Sequence, residues 1–361
     1  MTELLQATDE AAALEELHAR GCTDGLPVVI PTAERVDRMV LASGHDADLV
    51  LGTMGPGNGV ATVEKVAVAA VMAGCLPDYM PLVMAAVKAV IAPVFDLTEM
   101  QATTHCTAPL ILVNGPARHA CGPVASGYGA LGPGHRANAS IGRALRLAMI
   151  NIGMGRPGSS DMALLGHPGK FTYCLAEAEE KSPLPPLHVD LGFDAEESVV
   201  TVVGAEAPHS VIWSGGGDDP RAYGLLLEML AIGLANPATN NAILTAGTAV
   251  VVLNPDHVAV LAKAGLTRRD IARELCERCV MSPELQRRLM PGMVGPDPQP
   301  RPAFTDPSQI LILTAGGNGL YSMVMPSWST GTHKNSPSSV KVELGPTCAV
   351  PGLSELDPAE S

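Results

Sequence analysis

Two short segments limit what this chain can fold into: Leu110-Ile111-Leu112-Val113-Asn114 and Val250-Val251-Val252-Leu253-Asn254. Each is an unbroken aliphatic run ended by an asparagine and then a turn residue, Gly115 in one and Pro255 in the other. A strand with no polar alternation has no face to offer water. It belongs in a sheet covered by helices on both sides. Helical patterns surround both segments, at about 61–73, 79–91 and 138–152 in the first half and 220–234, 257–264 and 267–279 in the second. Strands alternating with helices predict an α/β fold, with a mixed or mainly parallel sheet or sheets and helices on both faces. The echo between the two segments fits two βα lobes with a cleft between them, residues 1–195 and 196–350. A flexible tail is expected over 351–361.

Other strands are expected at Leu26–Ile30, Leu49–Leu51, Phe171–Ala176, Val199–Val203, Ile310–Leu313 and Val340–Leu344, from their apolar and β-branched content. Thr32 is placed to cap a helix running to about Leu41, and an N-terminal helix is expected over about Asp9–Arg20. The prolines from Pro291 to Pro307 mark an extended connector.

Composition narrows the partners. The formal charge of −14 opposes a nucleic-acid partner, which needs basic patches to displace counterions. Although 47% of residues are hydrophobic, no stretch reaches the ~18 uninterrupted apolar residues of a membrane span. No membrane partner is therefore expected. That apolar content predicts much buried surface, including a homo-oligomer interface. Residues 1–19 show no basic segment followed by an apolar one, so the expected location is the cytoplasm, with the eight cysteines as reduced thiols.

Three glycine-rich turns share one design: Gly55-Pro56-Gly57-Asn58, Gly132-Pro133-Gly134-His135 and Gly316-Gly317-Asn318-Gly319. Glycine admits positive φ and close approach of another molecule, and the N–H groups of a helix's first turn attract anions. Gly57, Asn58, Gly134, Asn138, Gly317 and Asn318 are the expected binding residues, with Arg136 and Lys170 as clamps for a carboxylate or phosphate. Plain tight turns are the alternative. None of the three has the spacing of a dinucleotide fingerprint or a P-loop.

Reactive side chains cluster at Thr103-Thr104-His105-Cys106, with His119 and Cys121 beyond the strand that follows. If that strand crosses the sheet, the two His/Cys pairs lie near its opposite ends. A thiolate beside an imidazole serves as nucleophile or metal ligand. His105, Cys106 and Cys121 are therefore candidates, against the alternative of buried thiols beside hydrogen-bonded histidines. In Gly166-His167-Pro168-Gly169-Lys170 and the acidic run after it, His167 and Glu177 offer acid–base groups, with Glu177 at the end of an apolar strand. Cys276 and Cys279 lie near a helix end, where a C-x-x-C pair is structural. No metal or cofactor is expected. Zinc is the metal the His/Cys pairs would take.

The segment Thr23-Asp24-Gly25-Leu26-Pro27-Val28-Val29-Ile30-Pro31-Thr32 resembles the opening of bacterial proteins related to the UGSC selenoprotein family. The likeness continues through Leu131–Gly134, Arg136–Ala139, Ile141–Ala144 and Leu165–Lys170. It implies that these loops belong to one recurring site. The motif that names the family is absent: no Cys-Gly-Ser-Cys occurs, and Cys121-Gly122-Pro123 is the nearest approach, so thiol redox chemistry does not carry over.

The expectation is a small-molecule enzyme, a hydrolase or lyase acting on a polar or anionic substrate held over the Gly-rich loops. His105 or His167 would act as acid or base, and Cys106 or Cys121 as nucleophile. A thiol-dependent oxidoreductase and a non-catalytic metal- or ligand-binding protein are the alternatives.

Overall fold

The computed structural model describes residues 5–215 and 219–344; the expected tail over 351–361 lies outside them. The strands in chain order are β1 (Val50–Met54), β2 (Gly59–Thr62), β3 (Ala108–Asn114), β4 (Cys174–Ala176), β5 (Val199–Ala205), β6 (His209–Ile212), β7 (Ala249–Leu253), β8 (Val280–Met281), β9 (Arg301–Pro302), β10 (Ile310–Thr314), β11 (Tyr321–Met325) and β12 (Ser338–Lys341). Two four-stranded sheets dominate, ordered β12-β5-β3-β4 and β10-β7-β11-β6. The fold is α/β with mixed sheets.

The echoing segments are β3 and β7, and they hold the same place in the two sheets. Each pairs parallel with one neighbour, β4 or β10, and antiparallel with the other, β5 or β11. The fourth strands are exchanged. β6 follows β5 in the chain but joins β11, while β12 follows β11 but joins β5. The chain therefore leaves the first sheet only after Ala205, beyond the expected 195/196 division, and returns to it with β12.

The alternating direction of side chains along a strand sorts the core into three layers. Leu110 and Leu112 of β3, Leu175 of β4 and Val203 of β5 face Val250 and Val252 of β7, Leu311 and Leu313 of β10 and Met325 of β11. An apolar layer, not a cleft, thus fills the space between the sheets. Ile111, Val113, Cys174, Ala176, Val200 and Val202 point the other way, into the helices Ala33–Ser43, Val63–Met72, Met80–Ile91 and Arg136–Asn151. Val251, Leu253, Ile310, Ile312 and Val324 point outward into Ala222–Leu234, Pro255–Lys263 and Arg268–Arg278. The order is helix, sheet, sheet, helix.

The helices begin where capping residues allow. Asp9, Thr32 and Asn254 each accept a backbone N–H of the first turn, and Thr267 with Asp270 forms a reciprocal capping box. No single helix among the described residues is long and apolar enough to cross a membrane; one bent pair, Pro77–Ile91 with Pro93–Ala102, passes on length and composition. Its longer helix, Met80–Ile91, is packed within the core.

Several elements differ from expectation. Leu26–Ile30 is not a strand. Prolines 27 and 31 remove two donors, and Val29 N bonds the carbonyl of Met72 at a helix end instead. Leu49–Leu51 extends into a β1–β2 hairpin. The strand expected from Phe171 is shorter than its apolar content implies. Pro168–Lys170 forms a 3-10 turn that takes Phe171 as its cap, so the strand starts only at Cys174.

Asn335 binds the exchange together. At φ 57°, it donates Nδ2 to the carbonyls of Gly204 (3.0 Å) and Thr248 (3.2 Å) and accepts Gly204 N at Oδ1 (3.0 Å). It links the end of β5 to the residue preceding β7, in a buried setting. Asn335→Ala should lower stability by about 2–4 kcal/mol, from three buried hydrogen bonds and a left-handed backbone. Urea unfolding measures this, and a loss under about 0.5 kcal/mol would show the link to be dispensable.

Candidate functional site

β3 starts where β5 ends, so the segment before β3 and the segment after β5 meet at one edge of the first sheet. The helix Leu97–Ala102 delivers the chain to His105 and Cys106 there. The 161–167 loop is fastened alongside by Met162 N to the Gln101 carbonyl (2.9 Å) and Leu164 N to the Thr104 carbonyl (3.0 Å). From the end of β5 comes Glu206. Its backbone is fixed by its N–H to the Pro326 carbonyl (2.9 Å) and by the Tyr173 hydroxyl donating to its own carbonyl (2.8 Å).

The central pair is His105 with Glu206. Glu206 Oε1 accepts a hydrogen bond from His105 Nε2 (2.9 Å). That carboxylate makes Nε2 the donor, and the other ring nitrogen, Nδ1, is buried with no hydrogen-bond partner among the described residues. An imidazole oriented by a carboxylate on one nitrogen shares that feature with general bases, although here the second nitrogen is out of contact with solvent.

Cys106 is half-buried beside this pair. Burial and the negative charge of Glu206 push its thiol above the ordinary range, while Lys170 pulls the other way. The sulfur is therefore a thiol and not a thiolate near neutral pH, a poor state for nucleophilic or redox use.

His167 and Lys170 stand at the same edge but are committed. His167 Nδ1 accepts Gly169 N (3.1 Å), so its Nε2 donates to the Ala205 carbonyl (3.2 Å). Both ring nitrogens hold backbone, and burial lowers the ring's pKa, keeping it neutral. Lys170 Nζ donates to Asp161 (2.7 Å), a buried carboxylate that also faces Arg146 at 3.5 Å. Burial lowers the Lys170 pKa, opposed by Asp161. The two cations and the acid make an internal cluster, so Lys170 is not free to clamp an anionic substrate.

The remaining expected residues lie elsewhere. Cys121 is fully buried in the first core layer, at the far end of β3. Gly57 and Asn58 form the tip of the β1–β2 hairpin instead of opening a helix. Gly57 N bonds the Gly153 carbonyl (2.8 Å), and a Cβ there would collide with Met154. Arg136 caps a helix end by donating to the Gly74 carbonyl from both Nε and Nη2 (3.2 Å each). Asn138 is buried and ties the 122–134 loop to β4 through Ala125, Ala130 and the Cys174 carbonyl. Gly134, with φ 106° and open space around its Cα, only admits the chain to the helix.

The third glycine turn meets the segment just before the second. Gly316 N bonds the Ser126 carbonyl (2.7 Å), and the Tyr128 ring occupies the space a Cβ on Gly317 would need. Asn318 donates to Asp256 (2.5 Å). These turns follow the C-terminal ends of β3 and β10, whereas His105 and Cys106 precede β3. One cleft uniting the three glycine turns with the His/Cys pair does not exist.

Glu177 also sits at the C-terminal end, wholly buried. Its carboxylate accepts Asn114 Nδ2 (2.6 Å), Leu187 N (2.7 Å) and Arg268 Nη2 (3.0 Å). Arg268 also donates to the Ile312 carbonyl (2.9 Å), so this knot joins β4 to β10. Burial raises the Glu177 pKa, opposed first by Arg268. This carboxylate is a structural anchor. The residue that sequence reasoning missed is Glu206, which also directly follows an apolar strand and was legible by the same rule that selected Glu177.

Among the described residues, no group of three His, Cys, Asp or Glu side chains is arranged to hold a metal ion. Comparison with family models, with curated proteins and with solved structures gives no match.

Two outcomes follow. Arg268→Leu leaves the Glu177 charge buried and unpaired and should cost about 3–5 kcal/mol at pH 7. A carboxyl whose folded pKa is raised destabilises the fold as pH climbs from the ordinary carboxylate range through that folded pKa. Part of the loss should therefore return on acidification from pH 7 toward 5, as read by urea unfolding at each pH. A loss independent of pH would exclude a charge origin. For the thiol, iodoacetamide should modify Cys106 more slowly than free cysteine at pH 8 and faster in Glu206→Gln, by peptide mass spectrometry. Rapid alkylation at pH 7 would contradict a raised thiol.

Proposed function

We propose that this chain is a small-molecule enzyme, a hydrolase or lyase, in which His105 is the general base and Glu206 its orienting carboxylate. The observation that carries this reading is the His105–Glu206 hydrogen bond together with a buried Nδ1 left without a partner. Nδ1 is closed off from solvent, so the packing over it must open before it can take a proton. In a hydrolase that proton comes from the water that attacks the substrate carbonyl while the alcohol or amine leaves, and in a lyase it comes from carbon next to a carbonyl while the β-substituent leaves. The imidazolium so formed is held by Glu206. The Cys106 thiol, kept protonated, serves as a hydrogen-bond donor at this edge and not as the nucleophile, which argues against the thiol-oxidoreductase alternative.

The likeness to UGSC-type proteins suits this assignment. Asp24 of the first similar segment pairs with Arg143 of another (2.7 and 2.8 Å), and His167 and Lys170 of a third stand beside the pair. Of these segments, the one with His167 and Lys170 stands at the edge that carries His105, and none adds a redox motif.

A panel of esters, amides and hydroxy or amino acids identifies turnover. On the active compound, His105→Gln and Glu206→Gln should each lower kcat/KM by roughly 10²–10⁴-fold, while Cys106→Ser stays within a few-fold. Undiminished turnover in His105→Gln would remove the base. A collapse confined to Cys106→Ser would restore the thiol as nucleophile.

A further inference from the structure

Glu206 belongs to a second feature. Between β6 and the helix Ala222–Leu234 runs an open groove of about 480 Å³. Glu206 and Pro326 are on its wall, and Val211, Ile212, Met229 and Ile232 give it an apolar length. β6 is the outermost strand of its sheet, and the helix lies close because Gly233 faces Val324 and Val211 where a Cβ would sit 2.9 and 3.1 Å from their methyl groups.

Three of the wall residues are unusually exposed for their type: Ile212 at 50%, Met229 at 39% and Ile232 at 68%. In a chain of net charge −14, Glu206 is the one acidic residue among those described on this wall; none of them is a lysine or arginine, and His209 is the one other titratable side chain there. Apolar surface left in water costs about 25 cal/mol per Å², so an occupant that covers these side chains is favoured. The volume lies within the roughly 300–1,000 Å³ of small-ligand sites. By contrast, the cavity of about 370 Å³ along Met293–Pro302 touches no described residue of the His105 edge.

We infer that this groove binds the apolar chain of an amphipathic substrate, whose uncharged polar head reaches Glu206. The inference rests on the reading of His105 and Glu206 as the reacting end. It also sharpens the substrate class. Lys170, Arg146 and Arg136 are all engaged within the protein, so an anionic head finds none of them available, whereas an ester or amide carrying an alkyl chain matches both ends.

The test uses the full chain and three uncharged probes, butyramide, hexanamide and octanamide, titrated by calorimetry. Kd should fall about threefold to fourfold per added methylene. Ile232→Glu and Met229→Asp should weaken octanamide at least tenfold and leave butyramide unchanged, with the mass in solution unaltered. Chain-length-independent affinity would overturn the inference. So would an Ile232→Glu variant that changes oligomeric mass without changing affinity, because the groove would then be an interface between copies. The two readings fail separately. Chain-length-dependent binding with undiminished turnover in His105→Gln removes the base and keeps the groove. Loss of turnover in His105→Gln with no chain-length dependence keeps the base and removes the groove.

Discussion

The apolar layer between the two sheets is the constraint from which the rest follows. Leu110, Leu112, Leu175 and Val203 on one side and Val250, Val252, Leu311, Leu313 and Met325 on the other have no other place to be buried. Because helices cover the outer faces, every residue of β3, β5, β7 and β10 is buried. The strands must then be apolar throughout, and their hydrogen-bonding groups must be satisfied within the sheets. Exchange of β6 and β12 strengthens the union, since neither sheet reaches four strands without a segment that follows the other sheet's strand in the chain.

The exchange also decides where polar chemistry can stand. Each crossing starts at the C-terminal end of an antiparallel strand, β5 or β11, and both crossings must settle backbone groups that no ladder takes up. At the β11 crossing this is done by buried side chains: Ser327 N bonds Asn241 Oδ1 (2.8 Å), and Asn335 holds Gly204 and Thr248. At the β5 crossing the chain turns outward at Glu206, and the carboxylate is left to meet His105. The two crossings hold equivalent places in the two sheets, yet one is filled with structural amides and the other carries an imidazole–carboxylate pair and a thiol.

The sequence made the central strands and most long helices legible because burial on both faces, caps and proline positions leave direct marks. Thr32 caps its helix as its position implies. β6 was illegible for the opposite reason. At the sheet edge, β6 exposes His209, Ser210 and Ile212, and its four residues read as loop. Leu26–Ile30 was misleading: apolar content marks burial, but with prolines at 27 and 31 the segment packs as an irregular strap against the helix end at Met72. The site was half legible. His105, Cys106, His167 and Lys170 do share an edge, but which of them is free depends on partners distant in sequence, Glu206 for His105 and the Ala205 carbonyl for His167.

Glu177 and Glu206 show why residue type and local context could not separate a buried anchor from the carboxylate that meets a histidine. Both follow an apolar strand, and both accept hydrogen bonds near a sheet end. Glu177 is surrounded by donors, Asn114, Leu187 and Arg268, and lies wholly out of water, so its charge is spent on holding β4 to β10. Glu206 is partly exposed, its side-chain partner is a titratable ring, and it borders an open groove. A carboxylate in the first setting cannot meet a ligand without giving up the donors that hold the fold. In the second setting it can steady the charge on its partner while the backbone around it stays fixed by Pro326 and Tyr173. The same glycine-rich, apolar chain thus uses one strand-end acid for cohesion and leaves the other available for chemistry.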